Sequence, residues 1–263
     1  MKNGLFKSLK QLGFTSMLLL FVVGGAFGQL TGTKSIPADY ASLALFVADL
    51  NTQGVGAGGV TLNVPAGYTE TLSAQLTITA TGTAANPIII QKSGAGSNPV
   101  FTSYTGTNTP TSASRDGMLC LSGTDYMTVD GLNFVESGSN TTETTCMEYA
   151  IGLFKIDGTD GAQNNTIKNC VITLNRLGNT SWTGTGHNGS CGIVMLNCAN
   201  AANAAITTTA ASGSNSNNTF QSNTIQNVNA GIVFIGFAAP SPYTLGDQSN
   251  NIGGTTSLSL IHI

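Results

Sequence analysis

The sequence predicts an all-β solenoid, a coil of stacked parallel strands preceded by a helix. Only 8% of the 263 residues are charged, and Asn, Thr, Ser and Gly, which favour strands and turns, supply the polarity instead. A glycine or alanine followed by a short apolar run recurs four times, at residues 117, 150, 192 and 231. The spacings of 33, 42 and 39 residues between these runs are typical of a constant structural unit with loops of variable length.

The first 28 residues have the pattern of a secretory signal peptide. Lys2, Lys7 and Lys10 precede the apolar run SMLLLFVVGGAF, and small residues flank a cleavage point before Gln29. An uncleaved N-terminal anchor is the alternative. After cleavage we expect no membrane-spanning segment and therefore a secreted or cell-surface protein.

The charge balance argues against nucleic acid as a partner. Removing the leader leaves six basic and twelve acidic residues, a net charge of −6. A surface with few charges and a mildly acidic balance has no basic stripe along which phosphates could bind.

Five cysteines follow the leader, and they contain no CxxC pair. Export permits disulfides, so a bridge between Cys146 and Cys191 is left open. Cys120, Cys170 and Cys198 lie in apolar strand patterns and are predicted to be buried thiols. Metal binding is not favoured by these spacings.

The repeat also predicts which side chains stack in successive layers. Each turn of the coil would bury one face of its strands and pair its backbone with the turns above and below. The predicted columns are Met118, Ile151, Ile193 and Ile232, and Val129, Ile167, Phe220 and Ile252. Gly131 and Asn169 fall at bends that need a positive φ, and Asn side chains of successive layers are expected to form ladders. A β-sandwich is the alternative, but few Asn-Gly or Asp-Gly hairpin signals separate the apolar runs.

A helix is predicted in DYASLALFVADL, ahead of the first strands. Leu43, Phe46, Val47 and Leu50 share one helical face, and Asp39 is the candidate N-cap. Such a helix would cover the open end of the coil, where strand edges and apolar side chains are otherwise exposed. The runs GGVTLNVPAG, AQLTITA, NPIIIQK and NPVFTS would supply the first layers.

The stretch IPADYASLALFVADLNTQGV, followed by GGVTLNVPAGYTETL and ANPIIIQKSG, resembles the start of secreted right-handed parallel β-helix proteins of the pectin-lyase-like superfamily. It is most similar to the large surface proteins that Bacteroidota export by type IX secretion. The resemblance covers roughly residues 35–254 and implies a right-handed parallel β-helix with an N-terminal capping helix over residues 29–257, incomplete at its C-terminus. Residues 258–263, LSLIHI, resemble the in-frame translation of a sequencing adapter and are predicted to be a non-native tail. A genuine final strand is the alternative.

The resemblance implies that enzymes of this superfamily use clustered acids, often with calcium, and a basic residue on one face of the coil. Here the segment Gly186-His187-Asn188 matches only part of the Gly-His-Gly of the polygalacturonases, and no adjacent Asp pair occurs, so no catalytic residue is predicted. The candidate ligand-binding residues lie in one loop: Arg176, Trp182, His187 and Asn188. An exposed Trp stacks on sugar rings while its neighbours bind hydroxyl groups. The alternative is that Trp182 only folds its loop onto the coil.

Asp157 and Asp160, in the turn DGTDG, are the candidate Ca²⁺ ligands. Calcium takes about six to eight oxygen ligands, so a plain turn held by the Asp side chains is the alternative. No other cofactor is expected.

These features predict an exported β-helix scaffold that contributes to adhesion or contacts polysaccharide or cell-surface glycans, without catalysis in this segment. One alternative is a polysaccharide lyase or glycoside hydrolase of the pectin-lyase-like superfamily with part of its catalytic layers missing. A spacer that carries other domains away from the membrane is the other.

Overall fold

The computed structural model describes residues 28–108, 113–178 and 189–253, together with the backbone of residues 260–261. Within these ranges the strands form three parallel sheets, A, B and C, and one α-helix, α1 (Leu43–Gln53), lies near the start. None of the described helices is long and apolar enough to cross a membrane.

The three sheets run along the coil, and neighbouring strands in each are parallel. Sheet A contains β1 (Leu30–Ser35), β2 (Val55–Pro65), β5 (Ile88–Ser93), β8 (Met127–Asp130), β11 (Thr166–Lys168), β14 (Thr219–Gln221) and β17 (Asn251–Ile252). Sheet B contains β3 (Thr69–Thr71), β6 (Val100–Thr102), β9 (Asn133–Val135), β12 (Val171–Thr173), β15 (Thr224–Gln226) and β18 (Leu260–Ile261). Sheet C contains β4 (Leu76–Ile78), β7 (Gly117–Ser122), β10 (Tyr149–Phe154), β13 (Cys191–Leu196) and β16 (Ala230–Ile235).

The chain visits the sheets in the order A, B, C and then returns to A one layer further along. For example, β8, β9 and β10 form one turn of the coil, and β11 then pairs with β8. The described strands form five complete turns, from β2 to β16, and each strand pairs with its counterparts in the adjacent turns. This arrangement confirms the predicted all-β fold and its parallel, β-helix-like stacking.

The stacked side chains follow the predicted columns with one correction. In sheet A, Val129, Ile167 and Phe220 pair in register and are fully buried. In sheet C, Ile151 pairs with Leu119, so the prediction that Met118 heads this column is wrong by one residue. The register is set at the start of the strands, where Gly117 pairs with Tyr149. A side chain on that glycine would overlap the tyrosine ring, so the shape of the contact, rather than the apolar pattern, selects the register.

The bends between sheets A and B have the predicted conformation. Gly131 has φ 71° and Asn169 has φ 55°, and Ser222 occupies the same place in the next turn with φ 55°. A left-handed residue reverses the chain in a single step, and Gly or Asn adopts it at low cost.

A ladder of asparagines runs along the coil just before the strands of sheet A, as predicted. The backbone N–H and side-chain amide of Asn165 donate to Asn218 Oδ1, at 3.0 and 3.1 Å. Asn218 in turn donates to Asn250 Oδ1, at 2.9 and 3.2 Å. Asn165 and Asn218 are buried, so the ladder satisfies polar groups that would otherwise be costly inside the protein.

Helix α1 buries the predicted face, but its N-cap differs from the prediction. Its four buried residues are Leu43, Phe46, Val47 and Leu50. Ser42, immediately before the helix, accepts the N–H of Leu45, whereas Asp39 accepts hydrogen bonds from Ser35. The prediction of Asp39 as the cap is therefore wrong, because a cap must directly precede the first helical residue.

Helix α1 lies against β4, the first strand of sheet C. Asn51 donates to Thr77 O at 2.7 Å and accepts the N–H groups of Thr79 and Ala80 at 2.9 and 3.2 Å. One helical side chain thus satisfies backbone groups along an edge that, among the described strands, has no neighbour on that side.

All five cysteines are buried and free, so the bridge left open between Cys146 and Cys191 does not form. Burial raises the pKa of Cys120, Cys146 and Cys191 to about 12. Such thiols are protonated and unreactive at neutral pH.

The predicted leader, up to residue 27, lies outside the described residues. In the predicted tail, the backbone of Leu260 and Ile261 pairs with Thr224 and Ile225 of β15. The origin of that tail stays a prediction.

Candidate functional site

Sheet C differs from the other two sheets because both faces of its inner strands β10 and β13 are buried. Every residue of β10 and β13 is buried, whereas in β9 and β12 only the central residue is. A second apolar cluster lies on this sheet, separate from the main core, and we call it the outer cluster: Cys120, Tyr149, Phe154, Cys191, Val194, Leu196 and Cys198. Burial on the outside of a coil requires other parts of the chain to fold over it.

Tyr149 lies across the outer cluster where a glycine leaves room for its ring. A Cβ on Gly152 would lie 2.7 Å from Tyr149 Cε2. The Tyr149 hydroxyl shares its proton between Gln75 Oε1 and Asn200 Oδ1, at 3.0 and 2.8 Å. Asn200 belongs to residues 197–218, which connect β13 to β14, so this connection covers the cluster.

Arg115 holds the same connection from the start of the neighbouring strand, β7. It lies two residues before β7 and is nearly fully buried. Its Nη1 donates to Ala202 O at 3.3 Å, and its Nη2 donates to Asn203 Oδ1. A guanidinium carries five donors in a fixed fork, so a buried one is suited to holding several oxygen acceptors in one plane.

A cavity of about 340 Å³ lies beside the Arg115 guanidinium. Its polar lining includes Arg115, Asn197 and Asn203, and its apolar lining includes Leu196, Ile235 and Phe237. Asn197 is nearly fully buried, and its Oδ1 has no hydrogen-bond partner in the described part of the chain. An apolar wall with a few convergent polar groups is typical of a small-molecule site.

A larger cavity, of about 880 Å³, opens beyond the last complete turn. Met195 and Phe234, which line it, also pack against the main core. This cavity is therefore a continuation of the coil interior, and we do not assign it as the binding site.

Three buried carboxyl groups organise the connections between sheets B and C. Glu148 Oε2 accepts the backbone N–H of Asp116 at 2.6 Å, and Asp116 Oδ2 accepts those of Thr107 and Asn108, each at 2.7 Å. Glu136 accepts one backbone N–H from its own connection and one from the next turn. These carboxyl groups therefore hold loop backbone in place.

Glu148 holds its proton more tightly than an ordinary glutamic acid does. Burial raises its pKa to about 8, against the lowering effect of the Asp116 N–H, and the nearby Asp116 carboxylate adds to the rise. Burial also raises the pKa of Glu136. A carboxyl group that is protonated at neutral pH resembles a general acid, but Glu148 is only 1% exposed.

The residues predicted to bind a ligand are only partly within the described chain. Arg176 is exposed, follows β12 and donates its backbone N–H to Asn227 O at 3.1 Å. Trp182, His187 and Asn188 lie outside the described residues. Whether this predicted set comes together is therefore not settled by the described residues, and its role stays a prediction.

Asp157 and Asp160, the candidate calcium ligands, form a tight turn between β10 and β11. Asp157 Oδ1 accepts both the N–H and the hydroxyl of Thr159, each at 2.7 Å, and these bonds lower its pKa. The Ile156 N–H donates to Asp160 O at 2.9 Å, and burial raises the pKa of the Asp160 carboxyl. Within the described ranges, no group of three or more His, Cys, Asp or Glu side chains is placed to hold a metal ion.

Sequence reasoning missed Arg115, Tyr149 and Asn197. A usable signal was the unbroken apolar character of YAIGLF and CGIVML, since strands buried on both faces lose the alternation of half-exposed strands. That signal locates the covered sheet. It does not identify which loop residues cover it, because they come from distant connections.

Sequence comparisons find no matching family model and no matching curated protein. Solved structures do match. Two crystal structures of the GH136 lacto-N-biosidase from Eubacterium ramulus, a selenomethionine derivative and the native protein, superpose with TM-scores of 0.55 and 0.52 at 15% sequence identity. Each match covers 78% of this chain and 36% of that chain, so the protein spans about a third of the enzyme's length. At this identity the likeness concerns the fold alone.

An alginate lyase from Paenibacillus sp. str. FPU-7 also matches. It has 16% identity and a TM-score of 0.32, and the match covers 84% of this chain and 76% of that chain. This superposition is too loose to support an argument.

Proposed function

We propose that the protein is an exported right-handed parallel β-helix, capped at its start by α1, that binds carbohydrate at the outer face of sheet C without cleaving it. The observation that carries this proposal is the cavity beside Arg115, where buried polar side chains meet an apolar wall. We further propose membership of the pectin-lyase-like superfamily and the surface-protein kind exported by type IX secretion, on the sequence resemblance alone.

The cavity suits a sugar because a sugar ring has both apolar C–H faces and hydroxyl groups. Phe237 is half-buried and offers an aromatic surface to such a face. Arg115, Asn197 and Asn203 contribute polar side chains to the same lining, where hydroxyl groups of a ligand could bind. The cavity volume lies within the range of small-ligand sites.

Export and charge support the same kind of partner. The leader at residues 1–28 would direct the protein to the outside of the cell, where polysaccharides and glycans are abundant. The net charge of −6 after its removal disfavours nucleic acid. The lacto-N-biosidase with a similar fold acts, by its name, on a carbohydrate.

A catalytic role is the second candidate, as a lyase or glycoside hydrolase. Glu148 favours it, because its pKa of about 8 is suited to a proton donor. Its Oε2 binds the Asp116 backbone, however, and solvent does not reach it. We therefore place binding ahead of catalysis in this segment.

The test is a binding screen of the purified protein against soluble polysaccharides, including pectin and alginate, followed by calorimetry on each one that binds. We expect Phe237→Ala and Asn197→Ala each to weaken binding about tenfold, which corresponds to about 1.4 kcal/mol. Thr128→Ala is the control, since Thr128 lies in β8, outside both the cavity lining and the predicted loop. Trp182→Ala tests the loop predicted from the sequence.

Each outcome decides between the candidates. No binding to any polysaccharide in the panel would overturn the proposal. Binding that is lost in Trp182→Ala but unchanged in Phe237→Ala would move the site to the predicted loop. New reducing ends or unsaturated sugar products during incubation would establish the catalytic alternative.

A further inference from the structure

Lys155 is a buried lysine held between loops from three turns of the coil. It directly follows β10, and its side chain is 0% exposed. Its Nζ donates to Thr208 Oγ1 at 2.7 Å and lies 3.8 Å from Asp247 Oδ1. The three residues come from the successive connections between sheets C and A, so the contact joins distant parts of the chain.

Asp247 presents its carboxyl group to this amine in a constrained position. Its side chain is 9% exposed, and Oδ1 accepts the backbone N–H of Asn215 at 2.9 Å. The other oxygen, Oδ2, is buried and has no hydrogen-bond partner among the described residues. A charged carboxylate with an orphaned oxygen is costly in such a place, whereas a protonated one is less so.

Burial pushes both groups toward their neutral forms. It lowers the pKa of Lys155 more than the Asp247 charge raises it. It raises the pKa of Asp247 more than the Asn215 N–H and the Lys155 charge lower it. A neutral amine is a nucleophile, and a neutral carboxylic acid is a better acyl acceptor than a carboxylate.

We propose that Lys155 and Asp247 become joined by an intramolecular isopeptide bond. The lone pair of Nζ attacks Cγ of Asp247, and a C–N bond forms. Oδ2 then leaves as water, carrying the carboxyl proton and one of the two amine protons, and the second amine proton remains on the amide nitrogen. No oxidant, metal or other reactant is needed for this condensation.

Two neighbouring groups are placed to assist. The Asn215 N–H already donates to Oδ1, the oxygen on which negative charge develops when Nζ attacks, and such a donor stabilises that charge. The Thr208 hydroxyl accepts a hydrogen bond from Nζ, which holds the amine beside the Asp247 carboxyl group. Asp247 also lines the 880 Å³ cavity beyond the last complete turn, which offers the released water a route out.

The bond would fasten the connection after β10 to the connection after β16. All five cysteines are free, so within the described chain no disulfide provides such a cross-link. A cross-link of this kind restricts the unfolded chain, as a disulfide does, and it cannot be reduced.

Mass spectrometry of the full-length protein, under denaturing conditions, tests the proposal. We expect the wild-type mass to fall below the sequence mass by one water molecule, and a proteolytic digest to contain a branched peptide joining Lys155 to Asp247. In Lys155→Arg and Lys155→Met the water should be retained.

The variants also control for a second source of water loss. Asp-Gly sequences such as Asp157-Gly158 lose one water when they form a succinimide, and they would do so equally in the Lys155 variants. A wild-type digest in which the linear peptide carrying Lys155 appears in full yield, with no branched peptide, overturns the proposal. This result does not depend on whether any variant folds, or on whether the protein binds carbohydrate.

Discussion

Sheets B and C are built from strands of the same coil, yet the side chains on their outer faces differ in exposure to solvent. In β9 and β12 the flanking side chains are half-exposed and only the central one is buried. In β10 and β13 every side chain is buried. The comparison indicates that one face of a β-helix strand specifies the fold, while the second face becomes available for function only where loops cover it.

The two faces of sheet C also differ in chemistry. The inward side chains, such as Ile193 and Met195, belong to the main core. The outer cluster contains the polar tip of Tyr149, and the cavity with Arg115 and Asn197 lies next to it. Two predictions, in order of decreasing expected effect, test whether this distinction is real, and a third concerns the buried carboxyl groups.

Side chains stacked inside the coil should make the largest contribution to the free energy of unfolding. Phe134 is fully buried in β9, and its ring stacks on Phe101 with 5.9 Å between centroids. We expect Phe134→Ala to lower the free energy of unfolding by about 3–5 kcal/mol, because it removes apolar area and leaves a cavity. Urea unfolding measures this loss.

The matched control for Phe134→Ala is Thr128→Ala. Thr128 lies between two buried residues of β8 and is itself half-exposed. A change within about 0.5 kcal/mol is expected there. Equal losses for the two variants would contradict the assignment of inner and outer faces.

Contacts on the outer face of sheet C should contribute less to the free energy of unfolding than the buried Phe134 ring and more than the half-exposed Thr128. Tyr149→Phe keeps the ring but removes the hydroxyl that serves Gln75 and Asn200. Because two acceptors then lose their buried donor, we expect a loss of about 1–3 kcal/mol in the free energy of unfolding. The same change at Tyr243, which is 67% exposed, should have little effect. If Tyr149→Phe left the free energy of unfolding unchanged, the hydrogen bond from Tyr149 to Asn200 would not hold the covering loop in place.

The buried carboxyl groups should make stability depend on pH. Glu148 has a pKa of about 8 in the folded protein against an ordinary value of 4.5, so the folded state holds the proton more tightly. This stabilisation is fully present below pH 4.5 and is lost as the pH rises toward 8, by at most about 1.4 kcal/mol per unit.

Glu148→Gln should therefore flatten the dependence of the urea midpoint on pH over that range. Gln has an acceptor oxygen for the Asp116 N–H but does not titrate. If the wild type and the variant had parallel profiles, the proton on Glu148 would not be responsible.

Much of the scaffold could be predicted from the sequence because its information is local and repeated. The buried face of α1, the positive φ at Gly131 and Asn169, and the Asn ladder were all readable from residue type and spacing. The errors were of one kind. The Met118 register and the Asp39 cap each depended on how one side chain fits its neighbours, which an apolar pattern does not record.

The candidate site could not be predicted in the same way. Arg115 contacts Ala202 and Asn203, and Lys155 contacts Asp247, across long separations in the chain. No motif links such residues, because each lies in a connection whose length varies from turn to turn. The predicted loop residues, by contrast, were chosen because they are close in sequence.

The sequence by itself determined that the chain coils, since a strand with one apolar face gains stability only by stacking on copies of itself. The tertiary structure alone decided which loops cover the outer face of sheet C and which polar side chains meet there. The physical reason is that stacking repeats a short-range pattern of burial and backbone pairing. A site instead requires several variable loops to meet in space, and their meeting point is set by the finished coil.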